Sequence, residues 1–178
     1  MKRVVLAFAG LLLALTAIGS VPASATPAPT ADSSPGAGGG RGFERFLRRY
    51  EAANTAFVNG DPSPWLSITA DRDPVSIFGG FGGLGDAGLA AVDQRYQLAA
   101  GAFRPSGAVV DFDYLVKDIR DRLAYTVAIE RSNVLYAGHD APQPQVLRVT
   151  MIFRFDRGGW TIVHRHADMM VDLQLPTA

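Results

Sequence analysis

The C-terminal half of the chain alternates apolar and polar residues, a pattern with a period of two that is typical of β-strands. Four segments carry this pattern, residues 108–117, 123–136, 146–156 and 160–168, and polar or glycine-rich turns separate them. Consecutive strands that are joined by short turns pair in antiparallel fashion. The pattern therefore predicts a sheet of four long antiparallel strands.

The N-terminal half of the chain shows helical spacing instead. Apolar residues recur every three or four positions over residues 43–59, and Gly60 is suited to end that helix. Asp61-Pro62 begins a short second helix, a short strand follows at 75–78, and a third helix is predicted over 87–103. Helices followed by a run of strands indicate an α+β fold, here a strongly curved sheet with helices on one side.

A glycine-rich segment, GGFGGLG at residues 79–85, precedes the third helix. It contains neither the Lys-Ser/Thr pair of a phosphate-binding loop nor a dinucleotide-binding fingerprint with its acidic residue. Glycine permits backbone conformations with positive φ that other residues avoid. We therefore expect a flexible connection, or a lid over a pocket.

The first 25 residues have the features of a secretory signal peptide. A basic pair at 2–3 precedes an apolar run over 4–18, and a small-x-small cleavage site ends at Ala25. That run is too short to span a membrane comfortably, so we expect a secreted protein with no membrane span after processing near Ala25. Residues 26–42 are mostly Pro, Ala, Ser and Gly and predict a disordered linker, which leaves 43–174 as the folded domain.

Composition removes several classes of function. The chain has no cysteine, which excludes disulfides, thiolate zinc sites and cysteine nucleophiles. The formal net charge is +0 at pH 7 and the arginines are scattered along the chain. We therefore expect no nucleic-acid partner, because such proteins carry a basic patch.

Several stretches together resemble a known superfamily. They are Gly60-Asp61, the segment DPVSIFG at 73–79, the strand start LRVT at 147–150 and the ending GGWTIVHRHAD at 158–168. The chain is similar to the nuclear transport factor 2-like (NTF2-like) superfamily, and within it to the SnoaL-like and ketosteroid isomerase-related bacterial domains. The resemblance extends over about residues 43–173.

This resemblance implies a cone, in which a curved antiparallel sheet wraps around three N-terminal helices and a pocket opens between them. It also implies a homodimer that packs through the outer face of the sheet. The superfamily includes isomerases, cyclases, dehydratases and binding domains, so the resemblance specifies the fold better than the activity. We expect neither a cofactor nor a resident metal.

The third long strand has one polar and one apolar face. Val149, Met151, Phe153 and Phe155 alternate with Arg148, Thr150, Ile152 and Arg154. We expect the polar face to line the pocket and the apolar face to form the outer surface of the sheet. A large apolar surface usually marks an interface, which supports the homodimer.

The loop of the last hairpin decides which residues lie opposite its histidines. A three-residue loop at 157–159 places Thr150 opposite His166 and Arg148 opposite Asp168. A four-residue loop shifts the pairs by one, so that apolar residues lie opposite the histidines. We favour the first, because it groups the polar residues on one side.

The last strand carries the candidate catalytic residues. His164, His166 and Asp168 alternate along it and therefore share a face, together with Trp160 and Ile162. A histidine beside a carboxylate is equipped for proton transfer on a bound carbonyl compound.

Two other interpretations of this cluster stay open. Arg148 and Asp168 can form a structural ion pair, with the histidines hydrogen-bonded in the core. Alternatively, His164 and His166 can hold a metal ion with Asp168 or His139 as the third ligand.

Further residues are predicted to bind the ligand through aromatic walls and polar contacts. They are Trp65, Phe78, Tyr96, Glu130, Arg148 and Thr150. The sequence thus favours a secreted domain that binds a small apolar or aromatic molecule, with acid-base chemistry of the isomerase or cyclase type as an extension. The alternative is a non-catalytic accessory or dimerisation module.

Overall fold

The computed structural model describes residues 36–172, which form a curled mixed sheet, a half-barrel with helices at its N-terminal side. The cone-shaped α+β fold that the sequence predicts is confirmed. The predicted signal peptide and residues 26–35 of the predicted linker lie outside the described residues. Within residues 36–172, no helix is both long and apolar enough to cross a membrane.

Three helices belong to the described part of the chain: α1 (Gly36–Phe57), α2 (Ser63–Leu66) and α3 (Leu89–Ala100). α1 begins seven residues before the predicted start, so residues 36–42 of the predicted linker are helical. Each residue that extends an existing helix gains a backbone hydrogen bond without a new nucleation cost, which favours this extension. α3 ends earlier than predicted because Phe103 joins the sheet.

The described residues contribute seven strands to one sheet. They are β1 (Ser76–Phe78), β2 (Asp86–Ala87), β3 (Phe103–Arg104), β4 (Asp111–Arg120), β5 (Leu123–Tyr136), β6 (Gln143–Asp156) and β7 (Gly159–Met169). Their order is β2-β1-β7-β6-β5-β3, and β4 also pairs with β5. The four long strands are consecutive and antiparallel as predicted. β1 runs parallel to β7, which makes the sheet mixed.

The inner face of the sheet packs against α1 and α2 to form the main core. Phe43 and Phe46 of α1 meet the ring of Phe153 on β6 edge-on, with ring centroids 5.3 and 5.4 Å apart. Burial of a large apolar side chain contributes about 1.5–3 kcal/mol to stability. The apolar stripe of α1 therefore holds the helix inside the cone.

The hairpin between β6 and β7 turns in two residues. Arg157 and Gly158 have φ values of 45° and 85°, and Asp156 pairs with Gly159. Positive φ at both central positions is typical of a type I′ turn, whose twist matches that of the flanking strands. The predicted three-residue loop is therefore too long by one residue.

A β-bulge at Val163 restores the predicted register further along the hairpin. Ile162 pairs with Phe153 and His164 pairs with Ile152, so that Val163 has no cross-strand partner. The extra residue compensates for the shorter turn. The predicted pairings of Thr150 with His166 and of Arg148 with Asp168 are both confirmed.

The same bulge reverses the faces of β7. Before it, Trp160 and Ile162 are buried in the core; after it, the buried residues are Arg165 and Ala167. His164, His166 and Asp168 consequently lie on the outer face. The prediction that they share a face with Trp160 and Ile162 is wrong, because one inserted residue moves every later side chain to the opposite side.

The faces of β6 are also the reverse of the prediction. Val149, Met151 and Phe153 are at most 3% exposed and point into the cone, whereas Arg148, Thr150 and Ile152 lie on the outer face. The apolar face is the core face because removing that area from water is the main driving force of folding. The prediction that these apolar residues form an outward surface for a homodimer is therefore wrong.

Candidate functional site

A cavity of about 60 Å³ lies inside the cone, with α1 and α3 on one side and the inner face of the sheet on the other. Gly79, Gly80 and Phe81 from the glycine-rich loop contribute to its wall. The space is sufficient for several water molecules. The rest of the wall combines apolar residues with a smaller number of polar side chains.

A buried ion pair belongs to the wall of the cavity. Glu130 of β5 is 3% exposed and Arg165 of β7 is 8% exposed. The Arg165 Nη1 and Nη2 atoms donate hydrogen bonds to Glu130 Oε1 at 3.0 Å and to Oε2 at 2.7 Å. Such parallel bonds satisfy the planar guanidinium and the carboxylate together.

Residues from the helices complete the environment of this pair. The Tyr50 hydroxyl of α1 donates a hydrogen bond to Glu130 Oε1 at 2.5 Å. The Trp65 ring of α2 lies under the Arg165 guanidinium, 5.3 Å from its centre, in a cation–π contact. The ion pair thus connects the inner face of the sheet with α1 and α2.

The protonation states follow from this arrangement. Burial by itself raises the pKa of Glu130, but the Arg165 charge and the hydrogen bonds from Arg165 and Tyr50 outweigh burial and hold that pKa below its ordinary value. Burial, followed by the Glu130 charge, raises the pKa of Tyr50 well above the ordinary value. At neutral pH the cavity therefore contains a carboxylate, a guanidinium and a neutral phenol.

Tyr96 and Gln145 are two of the other polar residues that border the cavity. Tyr96 of α3 is 2% exposed, and burial raises the pKa of its hydroxyl, which stays protonated and can donate a hydrogen bond. Gln145 of β6 donates from Nε2 to the Tyr136 hydroxyl at 2.7 Å. The cavity thus combines apolar walls with a small number of fixed polar groups, as small-molecule sites commonly do.

The glycine-rich loop covers the cavity and is attached on two sides. Phe81 packs against Phe103 and Tyr136, with ring centroids 5.6 and 6.1 Å apart. Arg95 of α3 binds Asp86 through Nε at 2.6 Å, at the far end of the loop. The loop thus lies over the cavity, where a lid would lie. The side chain of Phe81 in this loop is half exposed.

The predicted site residues separate into two groups. Trp65, Tyr96 and Glu130 belong to the interior, as predicted, although Trp65 contacts Arg165 behind the cavity wall. The others lie on the outer face of the sheet: Phe78, Arg148, Thr150, His164, His166 and Asp168. The expectation that the histidines and Asp168 form the floor of the pocket is therefore wrong.

The outer group forms its own network. Arg148 donates to Asp168 Oδ1 at 3.1 Å and to Oδ2 at 2.5 Å, which is the ion pair of the structural interpretation. Phe78 packs on the His164 and His166 rings at 6.0 and 5.3 Å. Partial burial and the neighbouring His166 lower the pKa of His164, whose Nδ1 lies 2.8 Å from the Ser76 hydroxyl oxygen.

The metal interpretation finds no support in the arrangement of side chains. Among residues 36–172, no three or more His, Cys, Asp and Glu side chains are grouped closely enough to hold an ion. His139 instead packs against the Tyr136 ring in the loop after β5. A third ligand for His164 and His166 is therefore missing from the described part of the chain.

Sequence reasoning missed Arg165 and Asn54, which line the cavity, and Tyr50, whose hydroxyl binds Glu130. Ile162 and Ala167 are five positions apart in the chain and both are buried. A regular strand places residues at an odd spacing on opposite faces, so it cannot bury both on one side. That spacing was the signal for a bulge and for an inward-facing Arg165. Asn54 follows Tyr50 by one helical turn and is a polar residue in the apolar stripe of α1, which was the signal there.

Comparison with known proteins agrees with this architecture. Residues 48–172 match the sequence model of the SnoaL-like domain family. No curated protein gives a significant sequence match.

Solved structures with the same fold share little sequence with this chain. An NTF2-like superfamily protein from Salmonella enterica has 14% identity and a TM-score of 0.60, over 74% of this chain and 91% of that chain. A proposed dehydratase of the NTF2-like family from Streptomyces avermitilis has 18% identity and a TM-score of 0.58, over 74% of this chain and 95% of that chain. The CaMKII hub of S. rosetta has 17% identity and a TM-score of 0.53, over 71% of this chain and 95% of that chain.

Such low identities indicate a shared fold and carry no activity from one protein to another. The family match, in contrast, extends over most of the chain and over nearly all of the described residues. The resemblance predicted from the sequence is confirmed. The chain belongs to the SnoaL-like domain family of the NTF2-like superfamily.

Proposed function

We propose that this SnoaL-like domain binds a small, largely apolar molecule in the cavity inside the cone. The observation that carries the proposal is the cavity itself, which has mostly apolar walls, a few fixed polar groups and a glycine-rich cover. Proteins use such concave, mostly apolar sites to bind small molecules. The dehydratase activity proposed for one structural neighbour is compatible with a ligand at this place.

The geometry favours binding over the acid-base chemistry expected from the sequence. A general base works best when its pKa is near the working pH. The pKa of Glu130 is lowered, and both its oxygens already accept hydrogen bonds from Arg165. His164, His166 and Asp168 lie on the other side of the sheet. The described interior thus offers groups that orient a ligand, and its carboxylate, Glu130, is not poised to act as a general base near neutral pH.

A second candidate function, a dimerisation module, is favoured by the outer face of the sheet. Cross-strand pairs build an outer patch of Tyr125, Val127, Ile129, Arg148, Thr150, Ile152, His164, His166, Asp168 and Phe78. Phe78 is 46%, Tyr125 40% and Ile152 36% exposed. Exposed apolar groups with a polar rim commonly mark an interface. A second copy of the chain is the proposed partner, because a twofold contact sets the same patch of each copy against the other.

The two functions are compatible, since the cavity and the outer patch lie on opposite sides of the sheet. An oligomeric hub occurs among the structures with this fold, as the CaMKII hub illustrates. We further propose export of the chain, on the basis of the basic, apolar and small-x-small segments in residues 1–25.

Ligand binding is tested with a variant that fills the cavity. Ala99 lines the cavity, whereas Ala90 is exposed on the same helix. We expect Ala99→Phe to weaken binding of small aromatic probes at least tenfold by occupying their space, and Ala90→Phe to leave it unchanged. Calorimetric titration measures both affinities. Equal affinity in Ala99→Phe and the unmodified protein contradicts the proposed site.

The ion pair is tested by its contribution to stability. Removing one partner of a buried pair leaves an uncompensated charge and costs about 3–5 kcal/mol, whereas replacing both by apolar residues is much less destabilising. We therefore expect Glu130→Leu and Arg165→Met each to destabilise strongly, and the double variant to be more stable than either. Urea unfolding measures the differences.

The pH dependence of stability follows from the same pair. Because the pKa of Glu130 is lower in the folded chain than its ordinary value of 4.5, its contribution is complete above that pH. The contribution is lost as the pH falls through the folded pKa. Unfolding curves of the unmodified protein should lose this stability below about pH 4.5, and those of the Glu130→Leu, Arg165→Met double variant should lack this component.

Dimerisation is tested at Ile152, in the middle of the outer patch. We expect Ile152→Asp to shift the protein from dimer to monomer, because a carboxylate would be buried without a partner. Leu98→Asp, at an exposed position of α3 outside the patch, serves as the control. Light scattering coupled to size-exclusion chromatography gives the mass of each. A monomeric unmodified protein at about 100 μM would remove this candidate function.

Export is tested by expression of the full chain in a bacterial host. We expect a product outside the cytoplasm whose intact mass corresponds to an N-terminus at Thr26. Ala25→Asp should block the cleavage, because signal peptidase requires a small residue there. A cytoplasmic product that retains residues 1–25 contradicts the proposal.

A further inference from the structure

The cavity inside the cone is smaller than the aromatic molecules proposed to bind there. Its volume is about 60 Å³. An engineered cavity that encloses one benzene molecule in another protein has about 150 Å³. An aromatic ligand can therefore enter only if part of the wall moves, and the structure represents a closed state of the proposed site.

The glycine-rich loop at 79–85 is a part of the wall that lies outside the strand pairing. β1 ends at Phe78 and β2 begins at Asp86, so the loop joins two paired strands without belonging to either. The backbone hydrogen bond from Gly82 to the Gly79 carbonyl, 2.9 Å long, is internal to the loop. Segments with few buried contacts and few hydrogen bonds to the rest of a protein open at a low free-energy cost.

Arg95 of α3 packs against the loop at three glycines. A Cβ atom added at Gly79 would lie 3.9 Å from Arg95 Cδ, and one at Gly83 would lie 3.1 Å from Nη2. Arg95 Nη1 donates to the Gly82 carbonyl at 3.4 Å. Asp86 accepts a hydrogen bond from Arg95 Nε at 2.6 Å and thereby fixes the guanidinium. The Asp86–Arg95 pair thus orients the side chain on which the loop rests.

Phe81 makes the second attachment of the loop. Its ring packs on Phe103 and Tyr136, with centroids 5.6 and 6.1 Å apart, and it also lines the cavity. Because Phe81 is 52% exposed, these contacts bury only part of the ring. Release of Phe81 from the two rings would therefore open the wall at a modest cost.

We propose that residues 79–85 form a gate, which admits the ligand when Phe81 leaves its contacts with the two aromatic rings. The Asp86–Arg95 pair sets how often the gate opens, so both are positioning residues. This inference rests on the proposed binding function and adds the route by which the ligand enters. The ligand binds the open form, and closure of the loop then encloses it.

The test measures access to the cavity without any ligand. The chain has no cysteine, so Val58→Cys introduces a single thiol at a position that lines the cavity and is 4% exposed. The neutral aromatic reagent 4,4′-dithiodipyridine labels this thiol in the full-length protein, and absorbance follows the rate. Leu98→Cys, at an exposed position of α3, gives the rate of an accessible thiol. We expect the thiol in the cavity to react about a hundredfold more slowly.

Substitutions in the loop then report on the gate. Adding Phe81→Ala to Val58→Cys should accelerate labelling at least about fivefold, because two ring contacts no longer hold the loop closed. Leu84→Ala should leave the rate unchanged, since Leu84 belongs to the same loop and is 99% exposed. This matched control separates the role of Phe81 from a general effect of changing the loop.

The ion pair is examined by the same labelling. Asp86→Asn should accelerate it about two- to fivefold, which is the contribution of a partly exposed ion pair. Asp93→Asn, at an exposed position of α3, makes the same chemical change and should leave the rate unaltered. Gate opening exposes little surface, so the rate should change little up to about 1 M urea, whereas labelling through unfolding would rise steeply.

A second measurement decides the question if Val58→Cys does not fold. Stopped-flow fluorescence gives the association rate of N-phenyl-1-naphthylamine, a neutral probe, with the cysteine-free chain. We expect association with Phe81→Ala to be at least about fivefold faster than with the unmodified protein or Leu84→Ala.

Three results overturn the gate. They are labelling in the cavity as fast as at Leu98→Cys, equal effects of Phe81→Ala and Leu84→Ala, and a steep rise of the rate with urea. Failure of the probe to bind while labelling responds to Phe81→Ala removes the binding function and leaves the gate in place. The two failures are therefore distinguishable.

Discussion

The ion pair between Glu130 and Arg165 is the interaction on which the interior of the cone depends. Two charges at this depth are tolerated only together, because each alone would face a large desolvation cost. The pair links β5 to β7 across β6, and Tyr50 connects it to α1. The apolar core fixes the approximate shape of the cone, and this network specifies the relative position of helix and sheet at the cavity.

Arg165 reaches this position through a single extra residue. Val163 has no partner in the ladder, and the strand therefore changes phase between Ile162 and His164. Without the bulge the histidines would enter the core and Arg165 would be on the outer face. β-Bulges are frequent beside functional sites because they re-aim side chains in this way. The chemistry of the interior and that of the outer patch thus both follow from one local irregularity.

The sequence predicts the fold well because periodicity is a repeated signal. The alternation over β4 to β7 and the helical stripe that includes Phe43 and Tyr50 each involve many residues, so one exception does not hide them. The inner and outer faces of β6 and of the second half of β7 are the reverse of the prediction, because the polar cluster suggests one side and the apolar residues determine the other. The predicted pairs Arg148–Asp168 and Thr150–His166 were nevertheless correct, since a shorter turn and a bulge compensate each other.

The short strand β1 contributes neighbouring residues to the two sides of the sheet. β1 has three residues, yet Ile77 lines the cavity while its neighbour Phe78 covers the histidines on the outer patch. Adjacent side chains on a strand never share a face. A substitution at residue 77 can therefore reshape the interior without altering the outer surface, and a substitution at residue 78 can do the converse. The interior and the outer surface of the sheet can therefore change independently through two adjacent positions.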